Sequence, residues 1–325
     1  MITDSPFGSY GQLLRAPSIA TDPGLNTISA VAIMAGGILF TAVAALGGSR
    51  GEGIFGNLFY FSGLSVWTLC LILAAGGISR SVLLELEGKP RMELSQVGAY
   101  LAGKWKTLTL IPLAFCGLAL AGIVVQTFMA IVGAVPWIGP ILYAVSFPMA
   151  VALSMLVILT TLVHILGSPL YPAALGSREA GATEVIRELF ELVRLNPGRI
   201  LLVEGALALL CGGLTLTIAT LLRAALRLTV AISHPAMQER FLRIVAGVPE
   251  PLYPLFERLA GPFPFYFATG DAPAFYPVAG FLLGLSFLGL VAVAFAYPLT
   301  LLITGGTVLY ASLRTPPGQE PAAGP

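Results

Sequence analysis

Two ionisable side chains, His164 and Glu204, stand inside long apolar runs of this chain. Buried carboxyl and imidazole groups at one level in a membrane can relay protons or hold a polar ligand, which makes them a functional hypothesis from the outset. His164 comes just before Gly167-Ser168-Pro169, and Glu204 follows Arg199 by about 7.5 Å along a helix. If the two apolar runs are antiparallel neighbours, His164 and Glu204 lie at similar depth and form a candidate intramembrane polar pair. The alternatives are an ordinary polar contact for His164 and, for Glu204, snorkelling or pairing with Arg199.

The second candidate is a surface helix. Ile186, Leu189, Phe190 and Val193 follow the i, i+3, i+4, i+7 spacing of one helix face, and Glu184, Arg187, Glu188, Glu191 and Arg194 occupy the rest. Arg187, Glu188, Glu191 and Arg194 make a candidate docking helix for a cytoplasmic partner. The alternative is a helix lying in the headgroup layer and bracing its neighbours. Arg187–Glu191 and Glu191–Arg194 have the spacing of local ion pairs. The mixture of signs argues against a sensor of anionic lipid, which is rich in Lys and Arg.

Other chemistry has little support. Cys70, Cys116 and Cys211 each fall in an apolar run, where a free thiol behaves as a small hydrophobe. No CxxC or HxxxH occurs, so no metal or other cofactor is expected. The nucleophile-elbow, phosphate-loop, zinc-protease and dinucleotide motifs are missing in any supporting context. Two histidines at different levels cannot hold an axial haem pair.

The elements that position these residues follow from composition. The chain is 57% hydrophobic and only 10% charged, with a mean hydropathy of +0.90, against roughly a quarter charged in soluble domains. Its net charge of +1 leaves no basic excess for a nucleic-acid backbone. Six apolar runs are long enough to cross about 30 Å of hydrocarbon, where only a helix satisfies the backbone. They are placed at Ile28–Gly48, Ile54–Ile78, Leu108–Val135, Ile141–Leu166, Ile200–Leu226 and Val278–Leu301, the last extending toward Leu309. The expectation is an all-α membrane protein with a six-span domain over residues 28–314. An irregular N-terminal segment, 1–27, precedes it without a cleaved signal peptide, and a disordered Pro/Gly/Ala-rich tail, 315–325, follows.

Arg80, Lys89, Arg91, Lys104 and Lys106 lie between spans two and three, and Arg178, Arg187, Arg194 and Arg199 between spans four and five. The opposite short loops hold only Arg50, so both termini are expected in the cytoplasm of a cell with this protein in its inner membrane. Arg223 and Arg227, with Arg240 and Arg243, belong to the outer side, where they snorkel to headgroups or shape a basic pocket. The extracytoplasmic loop, 233–275, has a helical pattern near Met237–Val245 and an aromatic run, Phe263-Pro264-Phe265-Tyr266-Phe267.

The two cytoplasmic loops, 79–107 and 167–199, resemble one another. At one constant offset Gly88 matches Gly176, Ser95 matches Thr183, Gln96 matches Glu184, Val97 matches Val185, Leu101 matches Leu189 and Lys106 matches Arg194. Each match fits a glycine turn, a Ser/Thr cap, an amphipathic interfacial helix and a basic end leading into a span. In the first copy Leu94, Val97, Leu101 and Trp105 form the apolar stripe, with Trp105 as an interfacial anchor. The unit span–amphipathic helix–span thus occurs twice, as a parallel repeat. Gly280 and Gly284, and Gly117 and Ala121, have the spacing of close helix contacts, within the chain or between copies. Gln126 is expected to make an interhelical hydrogen bond.

Three stretches resemble a family of uncharacterised bacterial multi-pass membrane proteins: Arg80 to Trp105 with Glu85-Leu86-Glu87-Gly88, Ser168-Pro169-Leu170-Tyr171-Pro172-Ala173-Ala174 through Asn196-Pro197, and Val308-Leu309-Tyr310-Ala311-Ser312-Leu313-Arg314. The resemblance implies a helical membrane fold and no activity. The expected role is a non-enzymatic integral membrane subunit or scaffold of a larger envelope complex, with membrane lipids and other membrane subunits as partners. The alternative is a transporter of small molecules or lipids, or a lipid-handling protein, for which Pro112, Pro148 and Pro298 could open cavities.

Overall fold

The computed structural model describes residues 15–47, 54–135, 138–177, 181–237, 239–260 and 275–314. The N-terminal segment to residue 14, Arg50, Arg178, Glu179, the aromatic run after residue 260 and the tail lie outside these residues. All described elements are helical: α1 (Ala16–Ala20), α2 (Pro23–Leu46), α3 (Ile54–Leu86), α4 (Leu94–Gly133), α5 (Gly139–Gly167), α6 (Tyr171–Ser177), α7 (Ala182–Leu195), α8 (Pro197–Met237), α9 (Glu239–Ala246), a 3₁₀ turn (Glu250–Leu252), α10 (Tyr253–Ala260) and α11 (Phe275–Arg314). Among them six are long and apolar enough to cross a membrane: Pro23–Leu46, Gly56–Leu86, Leu94–Gly133, Leu142–Gly167, Pro197–Ser233 and Tyr276–Arg314. The chain is an all-α, multi-pass membrane protein.

The helix ends differ from the hydropathy boundaries for local reasons. The first span starts at Pro23, because Asp22 accepts a hydrogen bond from the Leu25 N–H at 3.0 Å and proline suits the first helical position. Part of the segment expected to be irregular is therefore helical, in α1. Helix α3 continues past Ile78 to Leu86, and Gly88 ends it with φ 74°. The Lys89 N–H reaches the Leu84 carbonyl at 2.8 Å and the Gly88 N–H reaches Glu85 at 2.9 Å, the paired closure that a left-handed glycine permits. Nothing between Trp105 and Leu108 breaks a helix, so the first expected surface helix and the third span are one helix, α4. At the second place Asn196 and Pro197 interrupt the chain, and α7 is separate from α8. Helix α8 runs beyond Leu226 to Met237.

The helix caps also stand two residues earlier than expected, at Glu93 and Gly181 rather than Ser95 and Thr183. Gln96 and Glu184 nevertheless have the same task. Each side chain accepts from its cap N–H, at 3.1 Å from Glu93 and 3.4 Å from Gly181.

The chain divides into two compact units, to both of which α3, α8 and α11 contribute. One takes residues 79–206 and the chain from Gly305 onward. Within it Leu170 and, in α6, Tyr171, Ala173, Ala174 and Leu175 are all buried. The Arg80 guanidinium donates to the Gly176 carbonyl at 2.7 Å and satisfies the end of that short helix. Helix α7 lays Val185, Leu189 and Val193 inward.

The other unit takes residues 15–78 and 207–304 of the described chain. Ser29 and Thr300 join hydroxyls at 2.7 Å in its interior. Val245, Phe256, Phe287 and Val291 form a core, with Phe256 edge-on to Phe287. Gly280 meets Gly247: a β-carbon on Gly280 would lie 2.2 Å from the Gly247 carbonyl carbon. The Gly280–Gly284 spacing is thus used within the chain. Gly117 and Ala121 instead lie on an exposed face.

Candidate functional site

The sequence-derived polar pair is not joined. His164 packs its ring at a tilt against Phe115, 5.3 Å between centroids, and Phe115 stacks on Phe190 at 5.9 Å, so the imidazole helps bind α4, α5 and α7 together. Glu204 has one carboxyl oxygen buried without a hydrogen-bond partner. Among the described residues it pairs with neither His164 nor Arg199. Arg199 instead reaches Ser312 at 3.4 Å. Gln126 is half-buried on α4 and makes no hydrogen bond among the described residues.

The candidate docking helix, α7, divides into two faces. Glu188 turns inward: it accepts a hydrogen bond from the Tyr310 hydroxyl at 2.8 Å and pairs with the Arg314 guanidinium at 3.5 Å. Ser177 completes the group, 3.0 Å from the Tyr310 oxygen and accepting from Arg314 at 3.0 Å. This cluster ties α7 and α6 to the end of α11. The stretches 168–197 and 308–314 therefore meet here. Burial raises the nearby Tyr171 hydroxyl well above its usual range, so that tyrosine stays neutral.

Arg187, Glu191 and Arg194 are exposed on the outer face of α7. The expected Arg187–Glu191 and Glu191–Arg194 ion pairs are not made; the ion pairs found lie elsewhere, as in the two-pronged Arg91–Glu85 pair at 2.7 Å. The three charged residues border a groove of about 560 Å³ between α5 and α7. Leu159, Leu162 and Val163 of α5, with Phe190, Val193 and Pro197, give it an apolar floor. Sequence reasoning found the rim but not the groove.

The remaining candidates are dispersed. Cys211 is buried, Cys70 half-buried and Cys116 exposed, so burial holds for one of the three thiols expected inside. Cys116 faces outward because α4 is covered on only one side, mainly by α5. Trp105 is exposed, with the Lys106 ammonium 5.8 Å from its ring. Arg243 lies 5.8 Å from the Tyr276 ring, while Arg223 and Arg227 are exposed on α8. No group of three His, Cys, Asp or Glu side chains able to hold a metal ion occurs among the described residues. No family model, curated protein or solved structure matches the chain.

Proposed function

We propose that this chain is a non-enzymatic integral membrane subunit or scaffold that joins other membrane proteins into an envelope complex. The observation that carries the reading is the bareness of α8. Only 6% of its most apolar 18 residues is buried. Gly205, Gly212 and Gly213 on that helix have nothing within 4 Å of the place a β-carbon would take. Lipid can cover leucines. Exposed glycines in a span favour a partner helix, whose backbone they allow to approach closely. In this reading both termini are cytoplasmic, which the short basic loops favour, the inner membrane is the site, and the matched roles of Gln96 and Glu184 reflect a parallel repeat. Isolation in a mild detergent tests it. Other membrane proteins are expected to co-purify in fixed ratio and to be lost on Gly212→Leu; a stable, partner-free monomer contradicts it.

A lipid-handling or transport role is the second reading. The groove between α5 and α7 favours it, as do Pro112, Pro148 and Pro298 inside spanning helices. Transport of a lipid or solute by the purified protein in vesicles would promote it over the first.

A further inference from the structure

The groove beside α7 has a specific charge order. Its floor is apolar and belongs in part to α5, a helix suited to hydrocarbon. Its rim carries Arg187, Glu191 and Arg194, each about one helical turn from the next. These three have the spacing at which side chains on one helix pair with each other. They stay apart, with the groove beside them, and leave two guanidiniums and one carboxylate facing outward.

A ligand that completes this rim has an apolar tail, a phosphate and a cationic amine. We propose that the groove holds one zwitterionic glycerophospholipid of the phosphatidylethanolamine type. An acyl chain lies along Leu162 and Phe190, the phosphate sits between Arg187 and Arg194, and the ammonium reaches Glu191. Arginine suits the phosphate because its planar fork of donors matches two phosphate oxygens. Glu191 decides the lipid class. A purely anionic headgroup leaves that carboxylate against a second negative charge, whereas a primary ammonium donates hydrogen bonds to it. A quaternary ammonium has no N–H to donate, so phosphatidylcholine fits less well. The site stands independently of the scaffold reading, since a membrane subunit and a lipid carrier can both hold such a lipid.

The test uses the full chain reconstituted in vesicles of equal parts phosphatidylethanolamine, phosphatidylglycerol and phosphatidylcholine. The protein is then extracted in mild detergent and its retained lipid quantified by mass spectrometry. The wild type is expected to retain phosphatidylethanolamine several-fold above its share of the vesicle. Glu191→Gln is expected to move that preference toward phosphatidylglycerol. Arg187→Gln with Arg194→Gln is expected to reduce retention of every class, while Arg227→Gln, which does not line the groove, leaves it unchanged. Leu162→Trp, which fills the floor without touching a charge, is expected to lower retention and keep the melting temperature of the lipid-free protein. The inference is overturned if the double arginine variant keeps the wild-type lipid complement, if Glu191→Gln keeps the ethanolamine preference, or if the wild type retains lipids only in bulk proportion. It is equally overturned if a polypeptide, rather than a lipid, is retained through the two arginines.

Discussion

Tyr310 is almost wholly buried, yet its hydroxyl reaches Glu188 of α7 and Ser177 of α6. A hydrogen bond to a charged group contributes more than a neutral one, so Tyr310→Phe should destabilise the protein by about 1–2 kcal/mol. A thermal melt in detergent reads this as a lower midpoint, and an unchanged midpoint would mean that Glu188 relies on Arg314 alone. Glycines give a sharper contrast. Gly280→Ala forces a methyl carbon to 2.2 Å from the backbone of Gly247, with no flexible side chain to move aside. The cost should reach the upper part of the roughly 1–3 kcal/mol found for overpacked cores, or exceed it. Gly117→Ala meets open space and gains helix propensity, so it should be neutral or stabilising. Which acid of α7 turns inward was partly legible. Glu188 follows Val185 by one turn and adjoins Leu189, and both of these are buried. Counting the stripe from Ile186, as hydrophobicity alone invites, rotates the face and puts Glu188 among the exposed charges.

Among the elements, α6 is where the sequence misleads most. Ser168-Pro169-Leu170-Tyr171-Pro172 belongs to the expected cytoplasmic loop 167–199, and short proline-rich stretches usually join helices at a surface. Its burial depends on neighbours distant in sequence: Gly306, whose missing side chain admits Pro169, and Arg80, which closes the Gly176 carbonyl. No local pattern records such contacts. The spans were legible, because the exclusion of water acts on every residue of a run and leaves its mark in composition. Their ends were less so, since α3 runs past the hydropathy boundary at Ile78 to Leu86 before Gly88 closes it, whereas the stop of α7 at Asn196-Pro197 is written in the residues themselves. Leu175→Ala tests the burial of α6. It should cost about 2–5 kcal/mol, as for other core leucines, while Leu201→Ala on exposed α8 should leave the melt nearly unchanged. Equal effects at the two positions would contradict the placement of α6 in the core.

At the scale of the whole molecule, the six helices long enough to span a membrane are mostly unburied, with 6% to 39% of their most apolar windows buried, and leave apolar surface for lipid and partners to share. In the proposed reading the short basic loops face the cytoplasm. Cysteines introduced at Lys89 and at Gly181 should be labelled by a membrane-impermeant maleimide only after the cells are opened, and one at Ile138 should react in intact cells. The reverse pattern would invert the topology and place the groove of α7 on the outer side. The His164–Glu204 pair shows where sequence reading stops at this scale: similar depth was inferred from helix order, but lateral position around the bundle is fixed only by packing. The most direct test of the scaffold account is in-cell photo-crosslinking from Leu209, which is 80% exposed on α8 beside the open glycines. The account predicts a discrete adduct of fixed mass with another membrane protein, abolished by Gly212→Leu. Adducts with lipid alone would contradict it.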